Sequence, residues 1–67
     1  MPKTLKLTRR YVLKITPEVS KLIIGERGKV YGYISTDGHR VSVSGDLGRA
    51  MREMLSDKPT VHIDSLP

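Results

Sequence analysis

Lys29-Val-Tyr-Gly-Tyr-Ile-Ser-Thr-Asp-Gly-His-Arg-Val-Ser-Val-Ser-Gly45 sets Asp37-Gly38 between two runs of alternating side chains. Both central residues of a two-residue hairpin turn need positive φ, which Asp followed by Gly tolerates. Folding the chain there predicts Thr36 opposite His39, Ile34 opposite Val41, and Gly32 opposite Val43. Val30, Ile34, Val41 and Val43 then share a core face. Tyr31, Tyr33, Ser35, Arg40, Ser42 and Ser44 share the other face. The expected functional surface is that second face.

Working outward, residues 4–16 alternate as well. Leu5, Leu7, Tyr11, Leu13 and Ile15 fall on one side, and Lys6, Thr8, Arg10, Lys14 and Thr16 on the other, with Val12 and Arg9 as the exceptions. Period two predicts a half-buried strand with a basic outer face, preceded by a mobile tail at residues 1–3. Thr16-Pro17-Glu18 reads as a helix start, with a hydroxyl cap, proline at the first position and an early acid. Val19, Leu22 and Ile23 continue it, and Gly25 suits its end. The competing reading makes Ser20 to Gly25 a strand.

Beyond the hairpin, Asp46 is the expected cap of a helix over residues 46–57. Leu47, Ala50, Met51, Met54 and Leu55 sit at i, i+3, i+4, i+7 and i+8, one face of three turns. Pro59 ends it by pushing Lys58 out of the α region. Thr60 to Asp64 alternates as a last strand. The expectation is one small α+β domain over residues 1–67 in β-α-β-β-α-β order. Its antiparallel sheet carries the 29–45 hairpin, packed by the 46–57 helix.

Sixty-seven residues bury only about 60% of the unfolded surface, too little for a deep catalytic cleft, so an enzyme is not expected. Without Cys there is neither a disulfide framework nor a Cys-based metal or redox site. Asn and Gln are absent too, a composition that fits a thermophile or archaeal-type source. No apolar run approaches membrane-spanning length and no leader segment is visible, so a cytoplasmic protein without membrane association is expected.

Net charge is +5, and residues 1–29 alone carry +6. A basic half of this kind points to a polyanion, with nucleic acid first. Lys6, Arg10, Lys14 and Arg40 are the expected phosphate contacts, with Tyr31 and Tyr33 as stacking platforms for bases. RNA is expected ahead of DNA, since sheet tyrosines suit splayed bases and no predicted helix is basic enough for a major groove. A place in a ribonucleoprotein particle would suit so short a basic chain. The alternatives are a structural or protein-interaction module that homodimerises through the same hairpin face, and a DNA-compacting chromatin protein.

Leu22-Ile-Ile-Gly25-Glu-Arg-Gly28-Lys29 resembles the GXXG loop of KH domains, in which backbone amides between two helices clamp a nucleic-acid backbone. Val12-Leu-Lys-Ile15 resembles that family's first strand. Tyr31 and Ile34 fall at apolar positions of its second helix, and Val41-Ser-Val43 falls on a strand. The resemblance implies a helix at residues 29–35, against the hairpin reading. A capping role for Gly25 and a turn role for Gly28 are the simpler account of the two glycines. On either account Arg27 and Lys29 are candidate phosphate contacts. Arg49 and Arg52 read as a solvated helix face, or as an extension of a phosphate track. His39 and His62 lack partners at ligand spacing, so no metal or cofactor is expected. Met51 and Met54 read as core filler.

Overall fold

The computed structural model describes residues 2–66, with side chains from Leu7 onward. Helix α1 (Pro2–Ile15) leads through a 3-10 turn (Thr16–Glu18) into strand β1 (Val19–Ile24). A second short turn (Glu26–Gly28) connects to β2 (Val30–Ser35), which hairpins into β3 (Arg40–Ser42). Helix α2 (Gly45–Met54), strand β4 (Thr60–His62) and a closing turn (Ile63–Ser65) complete the chain. The sheet order is β3-β2-β1-β4. It is mixed rather than antiparallel, because β4 runs parallel to β1. The α+β class holds, but the order is α-β-β-β-α-β.

The N-terminal segment is a helix and not a strand, and Pro2 and Lys3 are its first residues rather than a tail. Its residues are Lys, Leu and Arg in the main, good helix formers. Val12 and Ile15, three apart, face the core, while Leu7 and Leu13 stand exposed. Pro17 is a stop rather than a start. Thr16 lies in the turn, and its hydroxyl donates to the Val12 carbonyl at 2.7 Å, satisfying one of the acceptors left over at the helix end. Residues 19–24, read first as a helix, form a strand, as the β-branched Val19, Ile23 and Ile24 favour.

The hairpin exists, with a three-residue loop and a register one step from the expected one. Ser35 donates its amide to the His39 carbonyl at 2.8 Å, and the pairs are Ile34–Arg40, Tyr33–Val41 and Gly32–Ser42. Within the loop only Gly38 takes positive φ, at 91°, the pattern of a turn followed by a left-handed glycine. A slip of one residue exchanges faces. Tyr33 therefore joins Leu22 and Val41 under the helices, and Ile34 leaves the core face to stand between Lys21 and Arg40.

Two bulges complete the rearrangement. Ser20 is the extra residue between the Val19–Ser35 and Lys21–Ile34 pairs, and Tyr31 is extra between Ile23–Gly32 and Ile24–Val30. Each rephases its strand, so Val19 and Leu22, and likewise Val30 and Tyr33, bury on one side despite an odd spacing.

Helix α2 is capped by Ser44, whose hydroxyl accepts from the Leu47 amide at 3.3 Å, not by Asp46. It ends at Met54, with Leu55 as its C-cap. Met51 and Leu55 are buried, and Leu47, Ala50 and Met54 pack around them as expected. Gly48 lets the helix lie directly on β2, since a Cβ there would strike the Val30 carbonyl. The final alternating run forms a strand only to His62.

Met51 is fully buried, so Met51→Ala should cost about 2–5 kcal/mol in a denaturant melt. Leu13→Ala, on an exposed side chain, should stay within about 0.5 kcal/mol.

The hairpin tip makes a second expectation. The Ser35 hydroxyl and then His39, whose Nδ1 lies 2.8 Å from Asp37 Oδ2, hold the Asp37 carboxyl at about 2. Its folded value is below its unfolded one, so the stability it adds is fully present above about pH 4 and is lost as pH falls toward 2. Melting temperature measured down that range should fall less steeply for Asp37→Asn than for wild type. Gly38→Val should cost about 1–2 kcal/mol at any pH, from its left-handed backbone.

Candidate nucleic-acid interface

The segment Gly25 to Lys29 joins β1 to β2, two strands, so it is not the inter-helix loop that a KH domain would require. It is nevertheless well held. The Gly25 amide donates to the Lys29 carbonyl at 2.8 Å, and the Gly28 and Lys29 amides donate back to the Gly25 and Glu26 carbonyls at 3.0 Å. Arg27 has φ 59° and ψ 20°, a left-handed conformation that costs a non-glycine residue free energy and needs support from its surroundings. Arg52 of α2 gives that support. Its Nη1 donates to the Arg27 carbonyl at 3.1 Å and also to the Gly28 carbonyl.

The tether draws four cations together. Arg27, Lys29, Arg49 and Arg52 line one depression of about 460 Å³, with Val30, Gly45 and Asp46 completing its wall. Asp46 is its one acid. On the far side of Lys29, the Tyr31 ring covers Gly25, and the Lys29 ammonium lies 5.3 Å from the ring centroid. Tyr31 is thus occupied as a rest for Lys29, a cation–π contact, rather than standing clear as a stacking surface.

The other expected site residues are dispersed. Arg10 and Lys14 are exposed on α1, on the helix layer. Lys6 also belongs to α1, but its side chain is outside the described residues. Arg40 stays on the open sheet face, in one row with Ile34 and Lys21. Tyr33 is 6% exposed and belongs to the core, so it can serve neither as a stacking platform nor as an interface anchor. Burial pushes its phenol above the ordinary tyrosine value, with Tyr11 and Glu18 adding to the effect.

Both grounds for preferring RNA are thereby removed: the paired sheet tyrosines and the lack of a basic helix. Sequence reasoning named Arg27 and Lys29 from the glycine-flanked motif, and Arg49 and Arg52 from the helix face. It had no means of joining them, because the contact between α2 and the 26–28 turn spans more than twenty residues of chain. Lys21 escaped notice because the favoured helix reading hid its place on a strand.

Arg9 sits 3.4 Å from Glu53 across the two helices, both well exposed. His62 Nδ1 accepts the Asp64 amide at 3.2 Å. Among the described residues no three His, Cys, Asp or Glu side chains converge on a metal-sized space, and no helix is long and apolar enough to cross a membrane. The chain matches no protein-family model, and neither the curated proteins nor the solved structures give a match, so the geometry of this basic depression alone carries the functional reading.

Proposed function

We propose that this chain is a small, non-enzymatic nucleic-acid-binding protein that grips backbone phosphates through Arg27, Lys29, Arg49 and Arg52. The observation behind the reading is that these four basic residues line one depression in which Asp46 is the single acid. Like charges gathered on a fixed scaffold repel one another in the free protein. An anion that enters relieves the repulsion, and a nucleic acid brings a series of them along with counterion release. Arginine suits the task, because its planar guanidinium pairs with phosphate oxygens two at a time. Lys29, propped on Tyr31, adds a point charge at the rim.

Arg52 has a different part from the others. One of its nitrogens is committed to the Arg27 and Gly28 carbonyls, so it positions the turn while adding its charge to the depression.

A salt-resolved titration with single-stranded RNA, duplex RNA and duplex DNA tests the reading. Arg27→Ala, Lys29→Ala and Arg49→Ala should each weaken binding to all sequences alike and flatten the salt slope by about one. Their melting should stay within about 0.5 kcal/mol of wild type. Arg52→Ala should weaken binding and loosen the turn as well. Unaltered slopes in all three simple variants would show that the depression is not the binding site.

A further inference from the structure

Resting on the nucleic-acid reading, we infer that α1 is a groove-entering helix and that duplex DNA is the preferred ligand. The helix buries Val12 and Ile15 against the core and leaves Leu7 65%, Leu13 64% and Tyr11 48% exposed. Arg10 and Lys14, one turn apart, are exposed as well. The helix contains no acid at all, and the first in the chain is Glu18. Arg9 pairs with Glu53 of α2, but Arg10 and Lys14 have no acid on their own helix, and bare leucines beside such cations have no counterpart elsewhere in the described residues.

Geometry decides among occupants. Leu7 and Leu13 are about six positions and so about 120° apart around the helix, and Arg10 and Lys14 fall in the arc between them. The outer surface is therefore a basic ridge flanked by two apolar side chains. A lipid surface favours one continuous apolar face with the charges opposite, and the apolar stripe of α1 is already spent on the core. A second copy would bring two positive helices together, and like charges juxtaposed across an interface are costly. The major groove of B-DNA meets both features. It is about 12 Å wide and admits a helix, its thymine methyls take apolar side chains, and its guanine edges and phosphate walls take cations. The major groove of duplex RNA is too deep and narrow for side chains to read. Helix α2 packs alongside α1 and carries Arg49 and Arg52 to the phosphate cluster.

The test uses the full chain and one guanine-containing sequence of about two helical turns, prepared as duplex DNA and as duplex RNA. Affinity is followed across salt, and methylation of guanine N7 by dimethyl sulfate reads the major groove directly. Wild type should prefer the DNA duplex at least tenfold and protect N7. The double variant Arg10→Ala, Lys14→Ala should lose the protection and flatten the salt slope by about two. Leu13→Ser should weaken DNA binding with the slope unchanged, and circular dichroism melts should show all variants folded. Equal affinity for the two duplexes overturns the proposal. So does N7 protection that survives the double variant, or binding to phosphatidylserine vesicles in place of DNA. Should the α1 variants bind like wild type while Arg27→Ala and Arg49→Ala weaken, the groove helix is wrong and the phosphate cluster stands. Should neither set change binding, both readings fall.

Discussion

The seating of α2 on β2 is the contact on which the rest of the molecule depends. Gly48 brings the helix backbone onto the Val30 carbonyl, and Met51, with no exposed surface, closes the space below. A small domain has few ways to bury enough apolar area, and close approach of helix to sheet is an economical one. The same seating fixes which side of α2 faces the 26–28 turn at the start of β2. One turn beyond Gly48, Arg52 meets the carbonyls of the 26–28 turn. Core packing and the basic depression are thus consequences of one placement.

The sheet shows how a strict period of two gives way when two residues at odd spacing must both bury. Val30 and Tyr33 cannot face the helices on a regular strand. The extra residue at Tyr31 rephases β2 between them, and that residue, turned out of the core, becomes the rest for Lys29. Ser20 does the equivalent for Val19 and Leu22. The bulges reconcile an irregular apolar pattern with a continuous ladder, and one of them supplies part of the candidate site.

Much of this was legible from the residues. Asp37-Gly38 marked the hairpin because few dipeptides tolerate a left-handed backbone there, and the apolar spacing from Leu47 to Leu55 marked α2 because helical periodicity is strong over three turns. The register was not legible: two- and three-residue loops both use Asp-Gly, and they differ by the one step that moves Tyr33 indoors. Residues 4–16 misled in another way. Leu7, Leu13 and Ile15 gave an alternating pattern, but two of these three are exposed, so the alternation recorded surface composition rather than burial. Helix propensity was the better guide there. The depression, assembled from two segments distant in sequence, needed three dimensions.

The parallel pairing of β4 with β1 carries a kinetic implication. Its register, Leu22 with Thr60 through Ile24 with His62, joins the most distant segments of the sheet, and β4 has only three residues. The hairpin strands close over short loops, whereas β4 must wait for a long one, and closure of long loops is entropically slower. Short terminal strands are also the first to open in a folded molecule. Loop-closure entropy thus sets β4 apart from the hairpin strands, and any opening of β4 would bare the hydrogen-bonding groups of β1, a template for a stray strand.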